Sequence, residues 1–486
     1  MNYVVTVEEM RNAEKSTIDG GVDVMLLRSG ASLAIADGIY KRASEHKAKT
    51  AVFCGSGGNG YDGLLAAGWL KRRGCDVTAY LVGDGKSVDA GLAFAKNEGV
   101  SVVPYTDYAF DSDIIIDAIF GIGLNRPIDG ELKNFIEKLN KQKGAFKLAV
   151  DIPSGLNGDS GEVLGACFKA DVTMTFSAYK RGMLFGEGRE YCGNIIVADV
   201  GVKAESDVRV YEDTDFEPYK RRADAHKGDA GRIFVIGGCA TMVGAPLLAG
   251  AAAHAAYLNG AGVVTICVPK CLKTAVAARA VMATIKFIND DRDGFMKFDA
   301  AALDEIISRA SSIVIGMGMG AAPDLKRIIE YICGRFDGSL IIDADALNAI
   351  GKDCKMLAGS RAKIAITPHV GEFKRLTDKP ATIENAVSLA KEIGAVVVLK
   401  SATTVITDGK EVRLNITGTP AMAKGGTGDV LAGSIGALSC SYSLFDAATV
   451  ACYRNGKGAE RAVSSYAEMM LTPRDILNHA DYKELD

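Results

Sequence analysis

The sequence predicts an α/β protein made of two different doubly wound domains. Three observations carry this. Apolar runs of strand length alternate with helix-length segments along most of the chain. Glycine-rich turns follow many of the runs, and 55 glycines against 11 prolines fit tight strand-to-helix connections. At 486 residues the chain exceeds one ordinary core, so at least two domains are expected. An apolar fraction of 48% excludes a disordered or fibrous chain.

Thr6 to Glu9 form a capping box that opens a first helix, and a second is expected over 24–43. A strand over 51–54 runs into the glycine loop Gly55–Gly63, followed by a helix from about Leu64 to Arg73 and a strand over 77–82. This is a βαβ unit with its glycine loop where such proteins place ligands. A strand over 114–118 ends in Asp117 and leads into a loop over 120–127. A helix over 131–139 precedes a strand over 147–151, which enters the turn Ile152-Pro153-Ser154-Gly155. Strands over 172–176 and 195–198 finish the half.

Charges then cluster between Lys203 and Ala225, and Pro218 interrupts them. The expected domains are 1–211 and 226–486, with a linker over 212–225. The second half opens with His226-Lys227-Gly228-Asp229-Ala230-Gly231. A strand over 232–236 follows, and Pro246 marks the first turn of a buried, alanine-rich helix over 245–258. Strands over 263–268, 313–315, 340–342, 363–366, 396–399 and 405–407 come next, and the last long helix spans 445–464. Three clusters follow strands: Gly316–Gly320, Asp343–Asp345 and Thr367–Glu372. The halves differ in spacing and loop type, so no internal repeat is expected.

Net charge is −4 with both signs dispersed, so neither a nucleic-acid surface nor a nucleic-acid partner is expected. The eleven cysteines contain no C-x-x-C pair and read as reduced core residues of a cytoplasmic protein. No apolar run reaches 18 residues and no signal sequence is visible, so no membrane association is expected.

In the first half, Asn59, Asp62, Asp117, Asp151 and Ser154 lie at neighbouring strand ends. Their oxygens suit a hard cation, and few carboxylates favour a monovalent one. Singly, each also fits a turn or a helix cap. Asp151, just before the Pro-Ser-Gly turn, is the candidate general acid or base. GSGGNG fits G-x-G-x-x-G, but no acidic strand end follows about twenty residues on, so a dinucleotide-dependent dehydrogenase is not expected.

In the second half, Asn415 to Leu431 carries four glycines within 418–428 and enters a helix. Gly425, Gly426 and Gly428 are expected to take positive φ and present N–H groups to a phosphate at the helix N-terminus. Asp429 beside such an anion suggests a base acting on a hydroxyl; a glycine turn with a capping aspartate fits the same letters. Lys400 could reach phosphate oxygens, His369 a substrate, and Glu372 a magnesium-bound water. Met317 and Met319 read as packing residues.

The ordered motifs GSGGNGYDG, DAIFGIGLNRP, DIPSGL, HKGDAG, GAPLLAG, GMGMG, IDADALN, TPHVGEF, VVVLKSATTVI and AKGGTGDVLAG give the chain a strong resemblance to the bifunctional NAD(P)H-hydrate repair enzymes. The resemblance spans nearly the whole chain. It implies a Rossmann-like N-terminal epimerase domain and a ribokinase-like C-terminal ADP-dependent dehydratase domain, an isomerase and a lyase in one chain. The substrates would be hydrated NADH and NADPH, with ADP as co-substrate, giving AMP and phosphate.

By resemblance, Asn59, Asp117 and Ser154 would bind potassium. Gly58, Asn59, Gly60, Tyr61, Asp62, Gly121, Ile122, Gly123, Leu124, Asn125, Arg126, Pro127 and Asp151 would bind the hydrate in the epimerase. In the dehydratase, Gly244, Ala245, Gly318, His369 and Asp429 would contact it. Lys400, Ser401, Ala402, Thr403 and Thr404 would bind ADP, with Thr419, Pro420, Ala421, Met422, Ala423, Lys424, Gly425, Gly426, Thr427 and Gly428. Asp429 and Asp151 would be catalytic, a magnesium ion would assist the dehydratase, and a homo-oligomer is expected. The chain departs from the family pattern at Gly58, where an amide is usual, at Tyr61 (glycine), Ile122 (threonine) and Asn455 (histidine). The GGTGD stretch alone would also fit a ribokinase-class kinase of a vitamin or sugar, and a nucleotide-sensing scaffold is the second alternative.

Overall fold

The computed structural model describes residues 2–45, 48–83, 88–212, 215, 230–242, 244–245, 248, 261–280, 283–465 and 467–480. The run His226–Asp229, Pro246, most of the expected linker and most of the expected helix over 245–258 lie outside the described residues. Contacts divide the chain into two compact units, with the boundary between Val208 and Arg209. No helix among the described residues is long and apolar enough to cross a membrane.

The first unit holds a seven-stranded sheet in the order β4-β3-β2-β5-β6-β7-β9. These strands are β2 (Thr50–Cys54), β3 (Val77–Leu81), β4 (Ser101–Pro104), β5 (Ile114–Ala118), β6 (Phe146–Val150), β7 (Val172–Phe176) and β9 (Asn194–Ala198). All neighbours are parallel. Every residue of β2 and β5 is buried, as expected of central parallel strands covered on both faces. On one face, Ile35 and Ile39 of helix α2 (Val24–Glu45) and Leu64 and Leu70 of helix α3 (Gly58–Arg72) pack with Val52 and Ile116. On the other, Ile136 and Leu139 of helix α5 (Gly130–Lys141) pack with Phe53, Ile115 and Phe168. Because β2, β5 and β6 are adjacent and parallel, their carboxyl ends open on one edge.

Two features differ from expectation. Helix α3 begins at Gly58, so Gly58–Gly63 are its first turns rather than a loop. A strand β1 (Asn2–Val5) precedes the capped helix α1 (Val7–Asp19) and pairs in parallel with β8 (Tyr179–Lys180). Both strands are too short for an alternation pattern to reveal them.

A short strand β10 (Val208–Val210) spans the boundary between the units, and among the described residues the second unit carries β11 to β19 in the order β13-β12-β11-β14-β15-β16-β17-β18-β19. They are β11 (Arg232–Ile236), β12 (Val263–Pro269), β13 (Thr284–Ile288), β14 (Ser312–Ile315), β15 (Ser339–Ile342), β16 (Lys363–Ile366), β17 (Val396–Leu399), β18 (Thr404–Thr407) and β19 (Val412–Asn415). From β13 to β17 neighbours are parallel, and β17, β18 and β19 are antiparallel. The helix Thr427–Leu438 is buried from Val430 onward, and its Ile435 packs with Val235, Val314 and Ile341. Met317 and Met319 are fully buried, in keeping with a packing role.

Candidate active sites

The five oxygen-bearing residues of the first unit fall into two groups. Asp117 is fully buried at the end of β5; its Oδ1 accepts from the Ser154 hydroxyl at 2.7 Å and its Oδ2 from the Ser154 N–H at 2.8 Å. Burial pushes its carboxyl up to about 6 against the hydrogen bonds from Ser154 and Ile119. Asn59 donates through Nδ2 to the Phe120 and Val150 carbonyls, both at 3.0 Å, which leaves Oδ1 as an acceptor. The Phe120 N–H donates to Ser154 Oγ at 2.8 Å. Asn59, Asp117 and Ser154 are thus gathered around the Phe120 peptide, an oxygen-rich set with a single carboxylate.

Among the described residues, Asp62 and Asp151 make no hydrogen bond with that cluster and form the second group. Both line a cavity of about 960 Å³. Gly58, Asn59, Gly121, Ile122, Gly123, Leu124, Asn125 and Arg126 also line it. Gly60, Tyr61 and Pro127 do not. Gly60 instead meets the end of β2: a Cβ there would stand 1.8 Å from the Gly55 carbonyl oxygen. Tyr61 is helical and needs no positive φ. Arg28 lies 4.7 Å above its ring, pairs with Asp62 at 3.6 Å and donates to the Gly58 carbonyl. Gly58, lacking a side chain, leaves the guanidinium its room: a Cβ there would lie 3.5 Å from both terminal nitrogens.

The cavity holds three charges that the sequence reading missed. Arg11, Glu14 and Arg28 line it beside the expected Asp62, Arg126 and Asp151. Burial raises Asp62 to about 7; it outweighs the pull of Arg28 and is reinforced by Asp151 and Glu14. Burial, with Asp151, also raises Glu14. Met10, Glu14 and Ile18 recur every four residues of α1, so one face of that helix forms a wall. That spacing was the visible signal for Glu14. Asp151 has φ 63°, and its Oδ1 pairs at 2.6 Å with the buried ammonium of Lys180, in the strand beside β1. Lys180 stands beside Arg181 in the sequence, and nothing in that pair marks which of the two is buried.

In the second unit the adjacent ends of β15, β16 and β17 supply Asp343, His369 and Lys400. The Lys400 N–H donates to the Pro368 carbonyl at 2.8 Å. Its ammonium donates to Asp343 Oδ1 at 2.8 Å, and the Thr367 hydroxyl donates to the same oxygen at 2.7 Å. Burial works against the Lys400 charge, but Asp343, with Glu372 and Asp429, holds its pKa above the ordinary value. A Cβ on Gly428 would fall 3.5 Å from Lys400 Nζ and 3.6 Å from Asp343 Oδ2. The first turn of helix Thr427–Leu438 therefore faces this pair. Asp429, in that turn, is raised to about 6 by burial and then by Asp343, with Lys400 opposing.

Only Gly426 of the three expected glycines has positive φ, 99°; Gly425 and Gly428 do not. One left-handed residue suffices to start the helix, and Gly428 serves by leaving space beside Lys400. His369 caps helix Val370–Thr377: its Nδ1 accepts from the Gly371 and Glu372 N–H groups, and Glu372 Oε2 accepts from the His369 N–H. Gly318 has φ 63° and abuts Ala245, whose Cβ a Gly318 side chain would meet at 2.1 Å; Gly244 is exposed.

Lys400 to Thr404 make the turn into β18, closed by the Ser401 hydroxyl donating to the Thr403 carbonyl at 2.6 Å; Ala402 is exposed there. Thr419 caps the short turn Pro420–Met422, which leads through Ala423 to Lys424. Lys424 donates to the Met469 and Leu471 carbonyls, and the Thr427 hydroxyl to those of Met422 and Lys424. Asn455 is buried, and its Nδ2 has no hydrogen-bond partner among the described residues.

The NAD(P)H-hydrate dehydratase family model matches residues 233–480, and that of the YjeF-related protein N-terminus matches residues 23–182. The bifunctional NAD(P)H-hydrate repair enzyme of Archaeoglobus fulgidus is 34% identical over 90% of this chain and 89% of its own. That of Coxiella burnetii is 32% identical over 99% of each. The chain belongs to this family. Among solved structures, it is similar to an ADP/ATP-dependent NAD(P)H-hydrate dehydratase from Bacillus subtilis, co-crystallised with ATP and Mg²⁺. That similarity is 27% identity over 54% of this chain and 91% of the other, with a TM-score of 0.44. In this family's terms, the first unit carries the N-terminal module and the second the dehydratase module.

Proposed function

We propose that the first unit interconverts the R and S hydrates of NADH and NADPH, and that the second dehydrates the S hydrate with ADP. The observation that carries the second half is Asp429. A partly buried carboxyl raised to about 6 stands in the first turn of a glycine-led helix, beside a lysine and an aspartate. Helix N–H groups and Lys400 would hold phosphate oxygens. Asp429 takes the proton of the ring hydroxyl, whose oxygen attacks the terminal phosphoryl of ADP and releases AMP. Phosphate then leaves with the oxygen, the neighbouring ring carbon loses a proton, and the double bond returns.

A magnesium ion would neutralise the phosphate charge as it shifts. Among the described residues no group of three His, Cys, Asp or Glu could hold a metal. The nucleotide phosphates would therefore supply much of its coordination, as is usual for Mg²⁺. In the first unit, Asn59 Oδ1, Asp117 and Ser154 Oγ are hard oxygens carrying one formal charge, which fits K⁺. The ion would supply a fixed positive charge beside Asp117, and these residues would then orient the loop over 120–123 at the cavity wall. The 960 Å³ cavity, with Arg11, Arg28 and Arg126, suits a dinucleotide pyrophosphate.

Purified protein given the S hydrate and ADP should restore absorbance at the reduced-nicotinamide band. No recovery with ADP or ATP, alongside phosphorylation of a vitamin or sugar, would replace this reading with the kinase one. Supplying the R hydrate in the same assay tests the first unit, where Asn59→Ala should slow R-to-S conversion.

A further inference from the structure

Lys180 is 1% exposed, and its ammonium meets three acceptors: Asp151 Oδ1 at 2.6 Å, Thr175 Oγ1 at 2.8 Å and the Phe176 carbonyl at 3.1 Å. Removing an ammonium from water is expensive unless it is paired and hydrogen-bonded, so all three donors are committed. Its strand is fixed from outside: Val5 of β1 is in register with Lys180, and Val5 and Met10 pack with Ala178, Val202 and Ala204.

The partner carboxylate is held just as tightly. Asp151 has φ 63°, a backbone region unfavourable to a side chain, and its N–H donates to the Met174 carbonyl at 2.7 Å. Lys180 takes Oδ1, and the Thr175 hydroxyl also reaches it at 3.4 Å. The other oxygen, Oδ2, faces Gly121, where a Cβ would come within 3.4 Å of it. Gly121 and Asp151 both form the cavity wall, whereas Lys180 lies behind it. A buried charge and a strained residue therefore converge on one carboxylate and leave one of its oxygens toward the substrate space.

We propose that Lys180 is a positioning residue of the epimerase, which balances the charge of Asp151 and turns its Oδ2 over Gly121 toward the substrate. The proposal rests on the epimerase reading. Asp151 Oδ2 takes the proton of the ring hydroxyl while the bond from that carbon to the ring nitrogen opens. The oxygen becomes a carbonyl, and the nitrogen keeps the electron pair and takes a proton from water. Attack from the opposite face, with both protons returned, closes the other epimer. Lys180 exchanges no proton with substrate.

The test uses the full-length enzyme with Lys180→Ala and Lys180→Arg, following R-to-S conversion chromatographically. Dehydration of the S hydrate reports on the second unit. In Lys180→Ala, kcat for epimerisation should fall on the order of 10²-fold. KM should stay within about threefold and dehydration should be unchanged, since a residue behind the wall adds little to uniform binding. Propylammonium should restore part of kcat saturably, and tetramethylammonium, with no N–H donor, should not. A Lys180→Ala kcat within twofold of wild type overturns the proposal, as does a rise in KM alone or a folded variant that propylammonium leaves inactive. If Lys180→Ala loses the melting transition of the first unit, Lys180→Arg decides. Retained kcat supports the proposal; a folded but inactive Lys180→Arg overturns it. A wild-type enzyme that does not interconvert the epimers overturns the epimerase reading itself.

Discussion

Asp429 shows how one side chain's surroundings set its chemistry. Burial first, and Asp343 second, lift its carboxyl from 3.8 to about 6, while Lys400 pulls the other way. A base works ionised, so dehydration at saturating ADP should lose rate as pH falls through about 6. Lys400→Met removes the opposing cation and should move that acid limb upward, which a pH profile of kcat reads directly. Asp429→Asn should cut dehydration roughly 10²–10⁴-fold and leave epimerisation intact. Equal loss of both activities would contradict separate sites. Asp62 follows the same rule despite its arginine: the 3.6 Å pair with Arg28 is outweighed by burial.

At the scale of elements, the start of α3 is governed by contact. The carboxyl end of β2 and the first turn of α3 approach so closely that a Cβ on Gly60 would stand 1.8 Å from the Gly55 carbonyl oxygen. Backbone cannot yield there as a flexible side chain does. Gly60→Ala should destabilise the first unit by at least ~2 kcal/mol. The melting transition of that unit should drop and epimerisation should fall, with dehydration retained; an unchanged transition would show that the turn can relax. The glycine-rich letters suggest a loop to Gly63, but the chain is helical from Gly58. Poor helix propensity is overridden where small residues permit a close approach.

At the scale of the molecule, each unit has its own buried core: Ile35, Leu64 and Ile116 in the first, Val264, Ile341 and Ile435 in the second. A ligand that binds only the folded form stabilises it by RT ln(1 + [L]/Kd), so the gain keeps growing after the site is full. ADP with Mg²⁺ at about 100 times Kd should therefore raise the stability of the second unit by about 2.7 kcal/mol. The transition of the first unit should stay in place, and removal of K⁺ should lower that one alone. Calorimetry separates these outcomes, and a shift of both transitions with ADP would place nucleotide contacts in both units.

Apolar strand-length runs, the glycine motifs and their order were enough to establish two different α/β units, the family, and Asp429, Asp117 and Ser154 as candidates. Hydrophobic period reports the face a residue turns to its own core, and motif order reports a family; both are local properties of the chain. Motif resemblance already named Asn59, Asp117 and Ser154 without Asp62, but only the tertiary structure brought Glu14, Arg28 and Lys180 to the neighbourhood of Asp151. Those meetings depend on how α1, α2 and β8 pack beside the sheet edge. Pairing across such distances leaves no period in the sequence, because a charged residue does not name the partner that will neutralise it.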